Sequence, residues 1–379
     1  MPLSGAEAAQ HFSPSLLSAI PLDGLNPILT KVAGPAGLEL VSYRESGSSA
    51  NAVVTGGNRT WLMDVAVDGS GLIAGLNFQR PSPTSWDELK ARLRALAPDV
   101  SFLAAEVTGD GTCEPVEGVS ADTARPLGSA FKLYVLGALA RAVRTGRAGW
   151  DTQLAIRDDW KSLPSGELQN LPAGTELPLS TYADKMISIS DNTATDHLIH
   201  FLGRPAVERQ QQRFGMENPR ANEPFLTTRE LFQLKLNDYP SLAVPYEHLD
   251  REDRRDYLSD QVDPLPLPAL NAPWTDPRKI DSLEWFASPT DICNAYSGLR
   301  RQARNPALAG VGHALSINDA GIGLDPRRWK TVWFKGGSEP GVLTLNFLAT
   351  TTEGHTFVVS AMVSDPKTAF DEDLTAAEA

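Results

Sequence analysis

The stretch PLGSAFKLYVLGALARAVR, residues 126–144, places a serine and a lysine at the start of an apolar helix. Pro126 and Gly128 are turn residues, so the helix is predicted to begin near Ser129. Lys132 follows one helical turn later, on the same face as Ser129. A helix N-terminus favours negative charge on the serine oxygen, and a buried lysine of lowered pKa can accept its proton. The stretch therefore predicts a serine nucleophile. The alternative is that Ser129 is only a helix N-cap and Lys132 a solvated side chain.

A polar tripeptide, Ser190-Asp191-Asn192, interrupts the helical pattern further along the chain. Apolar residues with helical spacing lie on both sides of it, over 181–189 and 193–202. A tripeptide between two helices can present its side chains to a groove. The alternative is a helix–helix turn in which Asp191 or Asn192 caps a helix.

A third candidate is the tetrapeptide Lys335-Gly336-Gly337-Ser338, which follows a strand-like run at 331–334. Two glycines allow close approach of the backbone to a ligand, and Lys335 supplies a positive charge. Taken alone, the two glycines are also compatible with a simple bulge or turn.

The chain of 379 residues has room for two domains. Strand-like runs separated by turn signals follow a helical N-terminal stretch, at 38–43, 50–55, 60–67 and 72–78. With a connecting helix at 86–96, they predict a small α+β domain over residues 1–95. The second domain, 96–379, is also α+β: strands at both of its ends are expected to build one antiparallel sheet around a helical middle. They are predicted at 101–107, 115–119, 331–334, 342–350 and 356–363.

Within the second domain, residues 239–277 carry a charged helical pattern at 247–258 and are then rich in proline. These prolines are Pro264, Pro266, Pro268, Pro273 and Pro277. The segment is interpreted as a surface insertion or, alternatively, as a flap over a cleft.

A net charge of −13 argues against general nucleic-acid binding, because an acidic chain repels phosphates. The two cysteines exclude a disulfide-dense scaffold and a cysteine zinc ribbon. No apolar run is long enough for a transmembrane helix. The first residues lack the basic and apolar regions of a signal peptide. If Met1 is the native start, a cytoplasmic protein is expected; a trimmed, exported lipoprotein would have the same N-terminus.

The order of the three motifs resembles that of the penicillin-recognising serine hydrolases, which include class A β-lactamases and penicillin-binding proteins. The resemblance covers residues 97–365 and implies a β-lactamase/transpeptidase-like fold with an all-helical subdomain. A narrower resemblance is to the open-reading-frame-12 proteins of clavulanic acid clusters and the LpqF-type lipoproteins of mycobacteria. It rests on residues 162–166 and 334–342 and on the additional N-terminal domain. That domain would be similar to the steroid-isomerase (NTF2-like) cone.

The resemblance implies a role for each motif residue. Ser129 would be the acylated nucleophile, and Lys132 would be its general base or would tune the pKa of another base. Ser190 would relay a proton to the leaving group. The remaining implied roles are substrate orientation by Asn192, attraction of a substrate carboxylate by Lys335, and an oxyanion and substrate site at Ser129, Gly337 and Ser338. The implied substrate is a small molecule: a β-lactam, a small ester or a related amide.

Two departures from the family pattern imply weak β-lactamase activity. Gly336 replaces the threonine of Lys-Thr-Gly, which removes one contact to a substrate carboxylate. The Glu-x-x-Leu-Asn segment that activates the deacylating water is absent, and only Glu217 and Glu223 lie in the corresponding stretch. Without such a base, hydrolysis of the acyl-enzyme should be slow.

Two other functions remain as alternatives. One is a non-turnover ligand-binding protein on the same scaffold. The other is an isomerase in the N-terminal domain, for which Glu39, Glu45 and Asp64 are the ionisable residues on or beside the strands. His197 and His200 lie three apart on a helix and suggest packing rather than a metal site. No cofactor or metal is expected, and the oligomeric state is left open.

Overall fold

The computed structural model describes residues 2–56, 59–163, 165–268, 274–370 and 375–376. They form two compact units, divided between Leu89 and Lys90. Each unit has its own sheet and its own hydrophobic core. The sequence placed the boundary at residue 95, after the connecting helix. The division instead lies inside that helix, α4 (Trp86–Arg94).

The first unit consists of three helices followed by a four-stranded antiparallel sheet. The helices are α1 (Gly5–His11), α2 (Pro14–Ala19) and α3 (Leu22–Ala33), and the strands, in sheet order, are β1 (Leu38–Ser46), β2 (Ser49–Gly56), β3 (Arg59–Val67) and β4 (Ile73–Gln79). Serine side chains begin the first two helices: Ser4 accepts the Glu7 N–H, and Ser13 accepts the Leu16 N–H. The predicted strands are present, while the similarity of this unit to an NTF2-like cone stays a prediction.

The second unit contains one large sheet that draws strands from both ends of the unit, as predicted. Its strands, in sheet order, are β11 (Trp329–Phe334), β13 (Val342–Thr351), β14 (Thr356–Ser364), β5 (Asp99–Val107) and β6 (Cys113–Val119), and β12 (Gly337–Glu339) also pairs with β13. All of these pairs are antiparallel. The pairing of β14 with β5 joins the two ends, with Val359 opposite Ala104.

Short strand pairs in the same unit were not predicted. They are β7 (Arg125–Pro126) with β10 (Phe286–Ala287), and β8 (Gln153–Ala155) with β9 (Glu176–Pro178). Runs of two or three residues carry too little alternation of apolar and polar side chains for a sequence pattern to detect.

Helix α5 (Lys132–Arg144) runs through the middle of the second unit. Every residue from Lys132 to Ala140 is buried, so the helix has no solvated face over that stretch. Helices pack around it, and the remaining helices of the unit are α6 (Leu179–Ser188), α7 (Asn192–Leu202), α8 (Arg204–Arg213), α9 (Thr228–Leu236), α10 (Ala243–His248), α11 (Arg251–Tyr257), α12 (Pro289–Ala303) and α13 (Ala309–Ser316).

The segment 239–277 differs from its sequence-based interpretation. The single charged helix predicted at 247–258 is wrong: α10 ends at His248 and α11 begins at Arg251. The reason is Asp250, whose carboxylate accepts the N–H groups of Glu252 and Asp253 and starts a new helix. Of the five prolines, Pro273 lies outside the described residues, as does Pro164 of the 162–166 stretch.

The two cysteines form a disulfide that joins β6 to α12. Cys113 and Cys293 are 180 residues apart in sequence. The pairing was not predicted, because two cysteines so far apart show no spacing pattern. The bond ties the N-terminal hairpin of the second unit to the helix that packs on its sheet.

Candidate active site

Ser129 lies in a tight 3-10 turn, Gly128–Phe131, that leads directly into α5. The turn is held at its start, because Leu127 donates its N–H to the carbonyl of Trp285 at 2.8 Å. The Ser129 side chain caps no helix; α5 begins without a side-chain cap at Phe131. The N-cap alternative for Ser129 is therefore excluded, and its hydroxyl is available for another role.

Lys132 is completely buried, which also excludes the solvated alternative. Its Nζ lies 3.1 Å from Ser129 Oγ, 3.1 Å from Ser190 Oγ, 2.6 Å from the Ser190 carbonyl and 2.6 Å from Asn192 Oδ1. Burial, together with the nearby charge of Lys335, holds the pKa of Lys132 well below its usual value. An uncharged amine at this position can accept the Ser129 proton.

The Ser190-Asp191-Asn192 tripeptide combines the two functions that the sequence left open. Asp191 is a helix cap: its carboxylate accepts the Ala194 N–H at 2.7 Å at the start of α7. The flanking side chains of Ser190 and Asn192 contact Lys132. Ser190 has φ +58°, a conformation uncommon for a residue other than glycine. This turn therefore directs two polar side chains onto one buried lysine.

Lys335 follows the last residue of β11 and is nearly as buried as Lys132. Its backbone is locked to Asn346 by two hydrogen bonds, each 3.0 Å long. Its Nζ donates to Ser190 Oγ at 3.1 Å and to the carbonyl of Gly336 at 2.7 Å. Burial lowers the pKa of Lys335 to about 7. Ser190 Oγ thus lies between two lysines, at hydrogen-bonding distance from each.

Gly128 and Gly337 allow two backbone segments to touch beside the nucleophile. A β-carbon on Gly128 would lie 2.7 Å from Ser338 N, and Gly128 has φ +49°. A β-carbon on Gly337 would lie 2.4 Å from Ser129 N. The amide groups of Ser129 and Ser338, which the resemblance implies as an oxyanion hole, therefore belong to directly adjacent segments.

Gly336 also lies close to neighbouring atoms. A β-carbon on Gly336 would lie 2.8 Å from Cζ of the Phe334 ring and 3.1 Å from the Thr344 carbonyl. A side chain at position 336 would therefore require the Phe334 ring to move.

The motif residues open into one cavity of about 850 Å³ in the second unit. Its polar lining includes Ser129, Ser190, Asn192, Lys335, Gly337 and Ser338. Its walls are rich in large apolar side chains, among them Phe131, Ile187, Phe232, Trp274, Trp285 and Phe334. Trp274 belongs to the proline-rich segment, so that segment contributes to the cavity wall. A volume of this size accommodates a drug-sized ligand.

Neither glutamate that the sequence proposed for deacylation lines this cavity. Glu217 is exposed, and Glu223 binds Arg251 at 2.7 Å. Glu284 and Glu339 do line it, and both are buried. Glu339 directly follows the Lys335–Ser338 motif but was assigned no role, and no motif surrounds Glu284, whose neighbours in the fold come from distant parts of the chain.

His197 and His200 are held by packing. His197 Nδ1 lies 2.7 Å from the Thr193 carbonyl, and its Nε2 accepts the Arg157 N–H at 2.9 Å. His200 stacks on Trp160 with 4.6 Å between ring centroids. In the part of the chain that the structure describes, no group of three or more His, Cys, Asp or Glu side chains is arranged to hold a metal ion. Within the same residues, no helix combines the length and apolar character required to span a bilayer.

Comparison with known proteins agrees with this architecture. Residues 86–254 match the beta-lactamase enzyme family. The structure is similar to the beta-lactamase from Sphaerobacter thermophilus DSM 20745, with 22% identity, a TM-score of 0.51, and coverage of 78% of this chain and 92% of that one. It is also similar to a beta-lactamase from Chitinophaga pinensis DSM 2588, with 16% identity, a TM-score of 0.52, and coverage of 77% and 94%. No curated protein matches the chain. The chain therefore has a β-lactamase-like fold.

Proposed function

We propose that this chain, whose residues 86–254 match the beta-lactamase enzyme family, is a serine hydrolase that forms an acyl-enzyme on Ser129. One observation carries the proposal: Lys132 Nζ is completely buried and lies 3.1 Å from Ser129 Oγ. A buried lysine beside a serine at the start of a helix is one of the arrangements that activate a hydroxyl nucleophile.

The proposed acylation proceeds in two stages. Uncharged Lys132 accepts the Ser129 proton while Oγ forms a bond to the substrate carbonyl carbon, and the carbonyl electrons move to oxygen. The amide groups of Ser129 and Ser338 stabilise that oxyanion. When the oxyanion collapses, the bond to the leaving group breaks. Ser190, hydrogen-bonded to Lys132, passes a proton to the departing atom.

The proposed substrates are a β-lactam, a small ester or a related amide. Lys335 would hold a substrate carboxylate, and the apolar walls would contact the acyl group. Turnover of β-lactams is expected to be slow, since Glu217 and Glu223 do not line the cavity and cannot activate a water at Ser129 from where they lie. The narrower likeness to the open-reading-frame-12 and LpqF-type proteins, including their NTF2-like domain, is part of this proposal.

A non-turnover binding protein is the second candidate. The observation in its favour is the same position of Glu217 and Glu223 outside the cavity. A scaffold that binds its ligand and lacks a deacylating base would release no product.

The first experiment is intact-protein mass spectrometry after brief incubation with a penicillin and, separately, a cephalosporin. An adduct that maps to Ser129 and is absent from Ser129→Ala supports the acyl-enzyme. A persistent adduct further supports slow deacylation. If neither β-lactam nor a panel of small esters acylates the protein, and tight ligand binding survives Ser129→Ala, the binding function replaces the hydrolase.

For localisation we propose the exported alternative. The support is the Cys113–Cys293 disulfide, because such bonds persist in oxidising compartments and are rare in the cytosol. Thiol alkylation of the protein in fractionated cells, with and without prior reduction, tests this. Two freely alkylated thiols in a cytosolic fraction would contradict it.

A further inference from the structure

A cluster of buried charges lies beside the backbone segments of the oxyanion hole. It consists of Lys235, Glu284 and Glu339. Lys235, near the end of α9, is fully buried, and its Nζ lies 2.5 Å from Glu339 Oε1. The two glutamates are 5% and 8% exposed, and both line the cavity that contains Ser129. Burying three ionisable groups is costly unless their charges compensate one another.

Each glutamate is attached to one of the two segments that meet at Ser129. Glu339 follows Ser338 directly in β12. Glu284 accepts the Trp285 N–H at 2.7 Å, and the Trp285 carbonyl accepts the Leu127 N–H at 2.8 Å, so Glu284 lies on the chain segment that pairs with the start of the nucleophile turn. The backbone N–H of Gly128 favours the ionised form of Glu284, against the effect of burial. The two carboxyl groups therefore belong to the two backbone segments that meet beside Ser129.

The charge balance of the cluster depends on one proton. Burial and the neighbouring charge of Glu339 raise the pKa of Glu284 to about 8, against the opposing effect of Lys235. Near neutral pH, Glu284 therefore keeps its proton, and the single charges of Glu339 and Lys235 balance. Two further charged residues, Glu223 and Arg254, line a small second cavity together with Glu284.

We propose that Glu284 is a positioning residue for the oxyanion hole. Its place beside the Gly128 segment, together with the Lys235–Glu339 pair next to Ser338, keeps the two backbone segments in register. The inference rests on the proposed acyl-enzyme function of Ser129. Ionisation of Glu284 would repel the Glu339 carboxylate and so separate the two segments. It would also add a negative charge close to the developing oxyanion. Acylation should therefore slow as Glu284 loses its proton.

The test compares wild type with Glu284→Gln over pH 6–10. Glutamine reproduces the protonated acid, since its carbonyl accepts the backbone N–H groups and its NH₂ donates. The rate of Ser129 acylation is measured with 4-nitrophenyl acetate, an uncharged ester that makes no use of Lys335 as a carboxylate site. The titrations of Lys132 and Lys335 are common to both proteins and cancel in the ratio of their rates.

We expect the ratio of the wild-type rate to the Glu284→Gln rate to be constant up to about pH 7 and to fall about tenfold per pH unit above about pH 8. Glu284→Ala, which removes both the donor and the acceptor, should acylate about tenfold or more slowly at every pH. Glu208→Gln is the matched control: Glu208 is also buried and paired, with Arg255 at 2.9 Å, but does not line the cavity. It should keep the wild-type profile.

The possible failures are distinguishable. A rate ratio that stays constant from pH 6 to 10, while wild type is acylated normally, overturns the role of Glu284 alone. So does a Glu208→Gln profile that matches that of Glu284→Gln. Absence of any Ser129 adduct with this ester and with both β-lactams overturns the proposed function and this inference with it. If Glu284→Ala does not fold, the comparison of wild type with Glu284→Gln over pH 6–10 is sufficient for the test.

Discussion

Gly337 lies so close to Ser129 that a β-carbon at Gly337 would be 2.4 Å from the Ser129 amide nitrogen and 2.2 Å from the Leu127 carbonyl oxygen. Both contacts are to backbone atoms, which cannot rotate away as a side chain can. The nucleophile turn and strand β12 therefore fit together only because residue 337 has no side chain.

Gly337→Ala should separate β12 from the nucleophile turn and withdraw one amide from the oxyanion hole. We expect acylation of Ser129 to slow by about 10²–10³-fold, the usual effect of losing one oxyanion donor. Adduct formation followed by mass spectrometry gives the rate. Gly109→Ala is the control, because nothing lies within 4 Å of a β-carbon there. An alanine at 337 that acylates at the wild-type rate would show that this close approach does not serve catalysis.

Lys132→Arg should abolish proton transfer, because it replaces the uncharged amine with a permanently charged group. Arginine stays protonated in proteins, so it cannot accept the Ser129 proton. The expected loss in acylation rate is about 10²–10⁴-fold. In wild type, the lowered pKa of Lys132 means that the rate rises with pH well before the ordinary lysine range is reached. Lys185→Arg, a lysine partly exposed on α6 and outside the cavity lining, is the control. Full activity of Lys132→Arg would assign the general base elsewhere.

Lys335→Met should stabilise the protein, and more at low pH than at high pH. The pKa of Lys335 is about 7 in the folded protein, against 10.5 for an ordinary lysine. Between those values the unfolded chain binds more protons than the native state, so wild-type stability rises with pH. The excess in Tm of Lys335→Met over wild type should therefore be largest below pH 7 and shrink towards pH 10. Thermal unfolding over pH 5–10 measures it, and an excess that does not change with pH would contradict the lowered pKa.

In acylation assays, the Lys335→Met variant should lose more rate with carboxylate-bearing substrates than with uncharged esters.

Reduction of the Cys113–Cys293 bond should lower the free energy of unfolding of the second unit by about 2–4 kcal/mol. The bond closes a loop of 180 residues, which restricts the unfolded chain. Thermal unfolding with increasing dithiothreitol measures the effect. The double variant Cys113→Ala, Cys293→Ala should unfold at the lower temperature with or without reductant. Equal stability of oxidised and reduced wild type would contradict the prediction.

Much of the second unit was predictable because the information is local. Strands β5, β6, β13 and β14 are seven to ten residues long and are bounded by turn signals, so each is long enough to be recognised as a strand-like run. The helical spacing after Ser129 is equally clear. The helix predicted at 247–258 failed because one capping side chain, Asp250, overrides the continuous charge pattern. Gly137 and Gly298 could not be interpreted from the sequence at all. Only the fold shows that both lie against the Phe214 ring, where a β-carbon would not fit.

The order of the motifs around Ser129, Ser190 and Lys335, and the side chains they contain, could be read directly from the sequence, because each motif is a short run of neighbouring residues. Only the tertiary structure decided that Lys132 is fully buried against Ser190 and Asn192, which is what lowers its pKa. It alone assembled Lys235, Glu284 and Glu339. The physical reason is that protonation depends on burial and on the charges within a few ångströms, and the residues that supply both come from positions far apart in the chain.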